Sequence, residues 1–223
     1  MYPNQYRRFT YFFFSNNSNI PKVITSENFD KLKNINGIED LNVYQKKNEY
    51  FIIIDADVSI NSKKLLNLLQ KNEEFTLIKN ILPKHENALE RIYKLDQKES
   101  YSPSEGQLKT SVQPYKRFVW TLLLEPNLID EYKRVHSIGM AWPEITANMK
   151  SIGVKDMEIY LYQEKVMLIM DTIPDFDLEA IGPKWQKLPR EKEWQDYVAI
   201  FQRTDPNSSI QEKWQDMKLI VTS

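Results

Sequence analysis

Cysteine is absent from the 223-residue chain, which excludes disulfides, thiolate metal sites and a thiol nucleophile. Histidine is scarce: His85 and His136 are the only two, too few for a histidine-based metal site. Neither sign of charge is in excess, with 30 Lys+Arg against 31 Asp+Glu, so there is no electrostatic footprint for nucleic acid or an anionic membrane. Long apolar runs are also missing. The one candidate, Phe9-Thr10-Tyr11-Phe12-Phe13-Phe14 after Arg7-Arg8, is shorter than a signal-peptide core and lacks a small-residue cleavage site. It falls far short of the roughly 20 apolar residues of a membrane span. It reads as a buried strand, and the protein is expected to be cytoplasmic, with no nucleic-acid and no membrane partner.

What the chain does have is a large share of aromatic side chains, 12%, and length enough for two small domains or one large one. Arg8 to Phe14 reads as a strand, followed by a turn-rich stretch, Asn16 to Pro21. Ser26 caps a short helix, Glu27 to Lys33. Gly37 to Tyr44 and Tyr50 to Asp55 form a hairpin about Lys46-Lys47-Asn48. A helical stretch begins after Asn61, from Lys63 towards Leu69, extended by Phe75 to Ile81, and Leu89 to Leu95 is a last strand. That order is βαββαβ, the ferredoxin-like motif. Residues 99–114 are polar and aperiodic and read as a linker.

Beyond the linker the order begins again. Arg117-Phe118 opens a strand running to Leu124, as Arg8-Phe9 did. Gly153-Val154-Lys155-Asp156-Met157-Glu158-Ile159-Tyr160 repeats Gly37 to Tyr44, and Leu168-Ile169-Met170-Asp171 repeats Ile52-Ile53-Ile54-Asp55 at the same offset of 116. A helical region follows from Leu178 to about Phe201, broken near Gly182-Pro183, and Lys213 to Val221 supplies a final strand. The expected fold class is α+β: two ferredoxin-like units, residues 1–98 and 115–223, joined by the linker.

The second copy alone carries a polar constellation, Asp130-Glu131-Tyr132-Lys133-Arg134-Val135-His136 followed by Trp142-Pro143-Glu144. Tyr132 and His136 are four apart and share a helical face, and Pro143 suits a first helical turn. A phenol, an imidazole and an indole together suit a polar ring with one apolar face, such as a sugar. The plainer reading is an amphipathic helix whose Tyr and Trp fill core. The two halves differ in length here, 28 positions from Phe9 to Gly37 against 35 from Phe118 to Gly153, and the first half has no counterpart to the set.

These segments, with Lys150-Ser151-Ile152-Gly153, Asp156-Met157-Glu158-Ile159-Tyr160 and Glu193-Trp194-Gln195, resemble the L-rhamnose mutarotase family, including its L-fucose mutarotase-like members, over about Lys116 to Ser223. The resemblance implies a dimeric α/β barrel, here formed by two halves of one chain as a pseudo-dimer, with a homodimer of whole chains left open. It implies an isomerase that interconverts the anomers of a 6-deoxy-L-sugar, L-rhamnose or L-fucose, without a cofactor. It places the catalytic histidine on His136 and substrate-binding positions on Tyr132, Trp142, Met157, Trp194 and Gln195. Three departures bear on the sugar. Five residues rather than three separate His136 from Trp142, Met157 stands where the rhamnose enzymes bind with a tyrosine, and Gln195 replaces the second tryptophan of a pair.

Mutarotation opens the pyranose ring to the free aldehyde and closes it on the other face. The ring oxygen must gain a proton and the anomeric hydroxyl must lose one. His136 is expected to protonate the ring oxygen. Tyr132 would bond a sugar hydroxyl, and Trp142 and Trp194 would stack on the apolar face and the C6 methyl. Glu158 is a candidate base, with water as the alternative if the Met157 face of its strand is the one turned inward; Asp156 is assigned a structural part. Trp120, Trp185 and Trp214 are assigned to ordinary core, and His85 to an exposed polar segment. Two other readings stay open: a non-catalytic sugar-binding module, and a cofactor-independent monooxygenase of the dimeric α/β-barrel type.

Overall fold

The computed structural model of the chain describes residues 5–16, 35–71, 88–203 and 213–221. The expected helices Glu27–Lys33 and Phe75–Ile81, most of the turn-rich stretch from Asn16 to Pro21, and His85 lie outside the described residues. The chain folds as mixed α+β with two five-stranded sheets and gathers into two compact units. One unit holds the residues up to Glu90, with Ser100–Ser111 and Met217 onward; the other holds Arg91–Glu99 and Val112–Asp216. Among the described residues, no helix is long and apolar enough to cross a membrane.

In the first unit, β1 (Gln5–Phe14) lies between β3 (Glu49–Ala56) and β5 (Gln107–Thr110), while β2 (Ile38–Lys46) and β10 (Lys218–Val221) complete the order β10-β2-β3-β1-β5. Phe9, Tyr11 and Phe13 on one face of β1 and Thr10 and Phe12 on the other are all buried. That is why its apolar run is continuous rather than alternating. One helix of this unit, α1 (Ser62–Gln70), starts where Asn61 Oδ1 accepts the Lys64 N–H at 2.9 Å. It buries Leu65 and Leu69 in the same core as Phe9, Val43 and Ile52. Within the stretch read as a linker, β5 pairs antiparallel with the start of β1.

In the second unit the sheet order is β4-β7-β8-β6-β9, with β4 (Glu90–Lys94), β6 (Lys116–Leu123), β7 (Val154–Tyr162), β8 (Lys165–Thr172) and β9 (Gln215–Asp216). Among the described residues of this unit are four α-helices: α2 (Ile129–His136), α3 (Pro143–Ser151), α4 (Leu178–Trp185) and α5 (Glu191–Ala199).

The two hairpins match in detail. Each is entered through a glycine of positive φ, Gly37 at 98° and Gly153 at 102°. A Cβ there would sit 2.8 Å from Ile60 Cδ1 or 2.9 Å from Ile173 Cδ1, so both the backbone angle and the space call for glycine. Each β-ladder then slips by a bulge, between Ile38 and Asp40 and between Val154 and Asp156. In each bulge the aspartate takes the next backbone N–H, Leu41 at 3.0 Å and Met157 at 2.9 Å. Each first strand also holds a buried arginine forked onto the aspartate of its neighbour: Arg8 on Asp55 at 2.7 and 2.8 Å, and Arg117 on Asp171 at 2.6 and 2.8 Å.

Three expectations need correction. The strand expected to close the first ferredoxin-like unit, Leu89 to Leu95, touches β1 only at its start, where Leu89 N–H reaches the Thr10 carbonyl at 2.9 Å. It forms β4 beside β7, and Leu95 N–H reaches the Met157 carbonyl at 2.8 Å. The final strand, Lys213 to Val221, is two short strands in different sheets, β9 on β6 and β10 on β2. The break expected at Gly182-Pro183 falls instead at 186–190. Pro183 forfeits only its own hydrogen bond, and Gln186 N–H still reaches the Gly182 carbonyl at 3.1 Å. The helix stops ahead of Pro189, which disfavours helical backbone at Leu188, and Arg190 turns the chain with φ of 60°.

Candidate functional site

The site grows from α2. Asp130 and Glu131 occupy its first turn and Lys133, Arg134 and His136 its last, each on the side the helix dipole favours. Its apolar side buries Tyr132, Val135 and His136. His136 Nδ1 lies 2.8 Å from the Tyr132 carbonyl oxygen one turn back. A carbonyl only accepts, so Nδ1 carries the hydrogen and the neutral ring keeps its lone pair on Nε2. The ring packs tilted on Tyr132 with centroids 4.1 Å apart, and edge-on to Trp194 at 5.6 Å and Tyr93 at 5.8 Å. Burial lowers its pKa from 6.5 to about 4, against the opposing pull of the Tyr132 carbonyl. At neutral pH the side chain offers a lone pair, not a proton. The acid role expected from sequence is therefore not the resting one.

This shift has a sign in stability. Between pH 6.5 and 4 the unfolded chain holds a proton on His136 that the folded chain does not. Stability should therefore fall as pH drops through that window, by about 3 kcal/mol from this residue, and level off below it. Urea unfolding of the native protein and of His136→Asn at pH 7 and pH 4.5 checks this. The native protein should lose more between the two, and parallel losses would contradict the burial argument.

His136 opens onto a cavity of about 280 Å³ in the second unit. Trp120 of β6, Met157 and Ile159 of β7 and Leu168 of β8 form its floor, and residues of α2 to α5 form its walls. All five tryptophans of the chain line it, including Trp120, Trp185 and Trp214, which the sequence reading assigned to plain core. Trp142 meets Trp194 edge-on at 5.3 Å and stacks on Tyr197 at 5.9 Å. The Arg190 guanidinium covers the Trp142 ring at 4.1 Å while pairing with Glu144 at 3.2 Å and Glu193 at 3.1 Å, which locks the indole. The five residues between His136 and Trp142 form a tight turn. Ser137 Oγ donates to the Arg134 carbonyl at 2.7 Å, and Gly139 supplies a φ of 79°.

Polar groups in the wall are mostly uncharged: Gln186, Gln195, Gln202, Gln215 and Thr146. Among the described residues, no lysine or arginine lines the cavity. The exceptions are Asp216, exposed and accepting from the Trp120 indole at 2.5 Å, and Glu191. Glu191 is only 2% exposed; its Oε1 accepts from Asn148 Nδ2 and Trp185 Nε1, both at 3.0 Å. Burial raises its carboxyl pKa above the usual 4.5, while the bonds from Asn148, Trp185 and Gln195 pull the other way.

Of the candidates read from sequence, Tyr132, His136, Trp142, Met157, Trp194 and Gln195 line this one cavity. Glu158 does not. Its side chain points to the other face of β7, where Oε1 accepts from Arg91 Nη1 at 2.9 Å and from the Tyr160 hydroxyl at 3.1 Å. Asp156 shares that face and pairs with Lys94 at 3.4 Å. Sequence reasoning missed Glu191 and Tyr93. Glu191 sits in a charged run, Arg190-Glu191-Lys192-Glu193, that reads as a solvated helix start. Tyr93 comes from β4, in the half expected to contribute nothing.

Residues 117–221 match the family model described as L-rhamnose mutarotase. An L-fucose mutarotase of Xanthomonas campestris pv. campestris is 29% identical over 89 residues, 40% of this chain and 71% of that one. A UPF0734 protein of Dictyostelium discoideum is 31% identical over 112 residues, 48% of this chain and 88% of that one. Among solved structures, an L-rhamnose mutarotase of Formosa agariphila is similar over 46% of this chain and 93% of its own, at 19% identity and a TM-score of 0.36. An anthrone oxidase-like protein is similar over 99% of this chain and 93% of its own, at 11% identity and a TM-score of 0.44.

Proposed function

We propose, from the premise that residues 117–221 belong to the L-rhamnose mutarotase family, that this protein interconverts the anomers of a 6-deoxy-L-sugar, L-rhamnose or L-fucose. The observation that carries the reading is a neutral histidine in a cavity walled by five indoles and four glutamine amides, with no cation among the lining residues. Amides bond hydroxyls in both directions, and indole faces pack against the C–H face and methyl of a 6-deoxy ring. A phosphorylated or carboxylated sugar would find no counter-charge there.

In the proposed reaction His136 Nε2 takes the proton of the anomeric hydroxyl, the electrons of that O–H bond form the aldehyde as the C1–O5 bond breaks, and O5 gains a proton that it gives up again on closure. After rotation about C1–C2 the ring closes on the other face and His136 returns the proton to O1. Tyr132 holds the imidazole from below, and its carbonyl fixes the tautomer. Trp142, Trp194, Met157 and Gln195 contact the sugar. The chain as a whole reads as a duplicated ferredoxin-like unit standing in for the two chains of a dimer. The matched bulges, glycines and arginine–aspartate forks support that reading.

Saturation-transfer NMR between the anomers of L-rhamnose and of L-fucose tests the activity, with calorimetric titration alongside. Exchange above the uncatalysed background should appear for at least one sugar, with one binding site per chain. Binding without faster exchange would favour the sugar-binding module. Neither binding nor exchange with either sugar would sink the substrate assignment, and two equivalent sites would mean that the first half carries a pocket too.

A further inference from the structure

We infer that Glu191 is the second proton-transfer residue of this cavity, protonating the sugar ring oxygen while His136 takes the anomeric proton. The inference rests on the mutarotase reading and adds the group that reading lacks. Ring opening needs a donor as well as an acceptor, and the His136 tautomer makes it the acceptor. Among the cavity-lining groups, four others carry an ionisable proton: Glu191, Asp216, Tyr93 and Tyr132. Burial pushes both phenols further above their usual pKa, so they are poorer acids than free tyrosine. Asp216 is exposed and bonded to the Trp120 indole.

Glu191 is different. It is buried against the cavity, and the donors that reach it, Asn148, Trp185 and Gln195, are all neutral. It has no lysine or arginine partner among the described residues. Asn148 is itself fixed, since its Nδ2 also donates to the Pro189 carbonyl at 2.8 Å. The carboxyl is thus aimed by side chains of α3, α4 and α5. A glutamine could tie those three helices equally well. A buried carboxyl without a cation is costly as a purely structural tie, and such groups cluster where protons are moved. Burial favours the protonated form of this carboxyl, and Oε1 takes the two donors Asn148 Nδ2 and Trp185 Nε1.

The step balances without another reactant. Glu191 gives its proton to O5 as the C1–O5 bond breaks, and His136 takes the proton from O1, leaving carboxylate, imidazolium and open-chain aldehyde. On closure the carboxylate recovers the O5 proton and the imidazolium returns its own to O1, so both residues end as they began.

The test is Glu191→Gln, read by anomer exchange across pH 5–9 with the sugar the native protein exchanges. Exchange should slow by about 10²-fold, with sugar affinity changed by no more than about threefold. The native rate should also fall on an alkaline limb as the carboxyl ionises, and Glu191→Gln should lack that limb. Glu191→Asp, which keeps the acid, should retain both limb and partial activity. Native-rate exchange by Glu191→Gln, or a native profile with no alkaline limb, overturns the inference while leaving the mutarotase reading intact. A native protein that exchanges neither sugar overturns both.

Discussion

His136→Asn is expected to slow enzyme-dependent anomer exchange by about 10²–10⁴-fold, the usual span for removing a positioned acid or base. The variant should keep the cavity, because the asparagine amide can donate to the Tyr132 carbonyl much as Nδ1 does. What it lacks is a lone-pair nitrogen at the Nε2 position, so sugar affinity should change far less than rate. The native rate should fall as pH drops towards about 4, because only the neutral ring accepts the anomeric proton. Exchange must be measured above the uncatalysed background. An unchanged rate in His136→Asn with both sugars would refute the mechanism.

Arg8→Met should destabilise the first unit by about 3–5 kcal/mol, because it strips Asp55 of its forked partner in a site where the two side chains are 0% and 1% exposed. The double variant Arg8→Met/Asp55→Leu should recover part of that loss, since it removes the carboxylate along with its forked partner. Urea unfolding at pH 7 reads both. A single variant within about 1 kcal/mol of native stability would show that the pair is better hydrated than its burial implies. Anomer exchange by the folded single variant should stay near native, because neither residue lines the cavity.

Much of the site was legible because its signals are local. Tyr132 and His136 fall one turn apart, and Pro143 marks a helix start. Alternation in β7 separates Met157 from Glu158, one towards the cavity and one into an ion pair with Arg91. The hairpins were legible for the same reason: glycine, aspartate and apolar residues recur at one offset. Glu191 was not legible, since Arg190-Glu191-Lys192-Glu193 looks solvated and only the packing of α3, α4 and α5 buries its second member. Trp120, Trp185 and Trp214 could be placed inside by hydrophobicity, but not beside a void. The destination of β4 was hidden too. A run such as Arg91-Ile92-Tyr93 says strand, while the choice of neighbour is settled by tertiary pairing. The helix end was not legible either: Pro183 lies inside the helix, which runs on to Trp185.

The place of β4 means that the stretch matching the mutarotase family is narrower than the piece of chain that lines the cavity. Residues 117–221 carry the family match, but Tyr93, edge-on to His136, lies upstream of it. Arg91, which neutralises Glu158, lies upstream as well. A fragment excised at residue 115 would keep His136 and Glu191 yet lose a wall of its pocket and the Arg91 partner of Glu158. It would also expose the edge of β7 as an adhesive β-surface. It would carry β10 away from β2, leaving the other fragment with an open edge of its own. Neither segment is a transplantable module. Any loss of the first half from a gene of this kind would remove Tyr93 from the cavity wall.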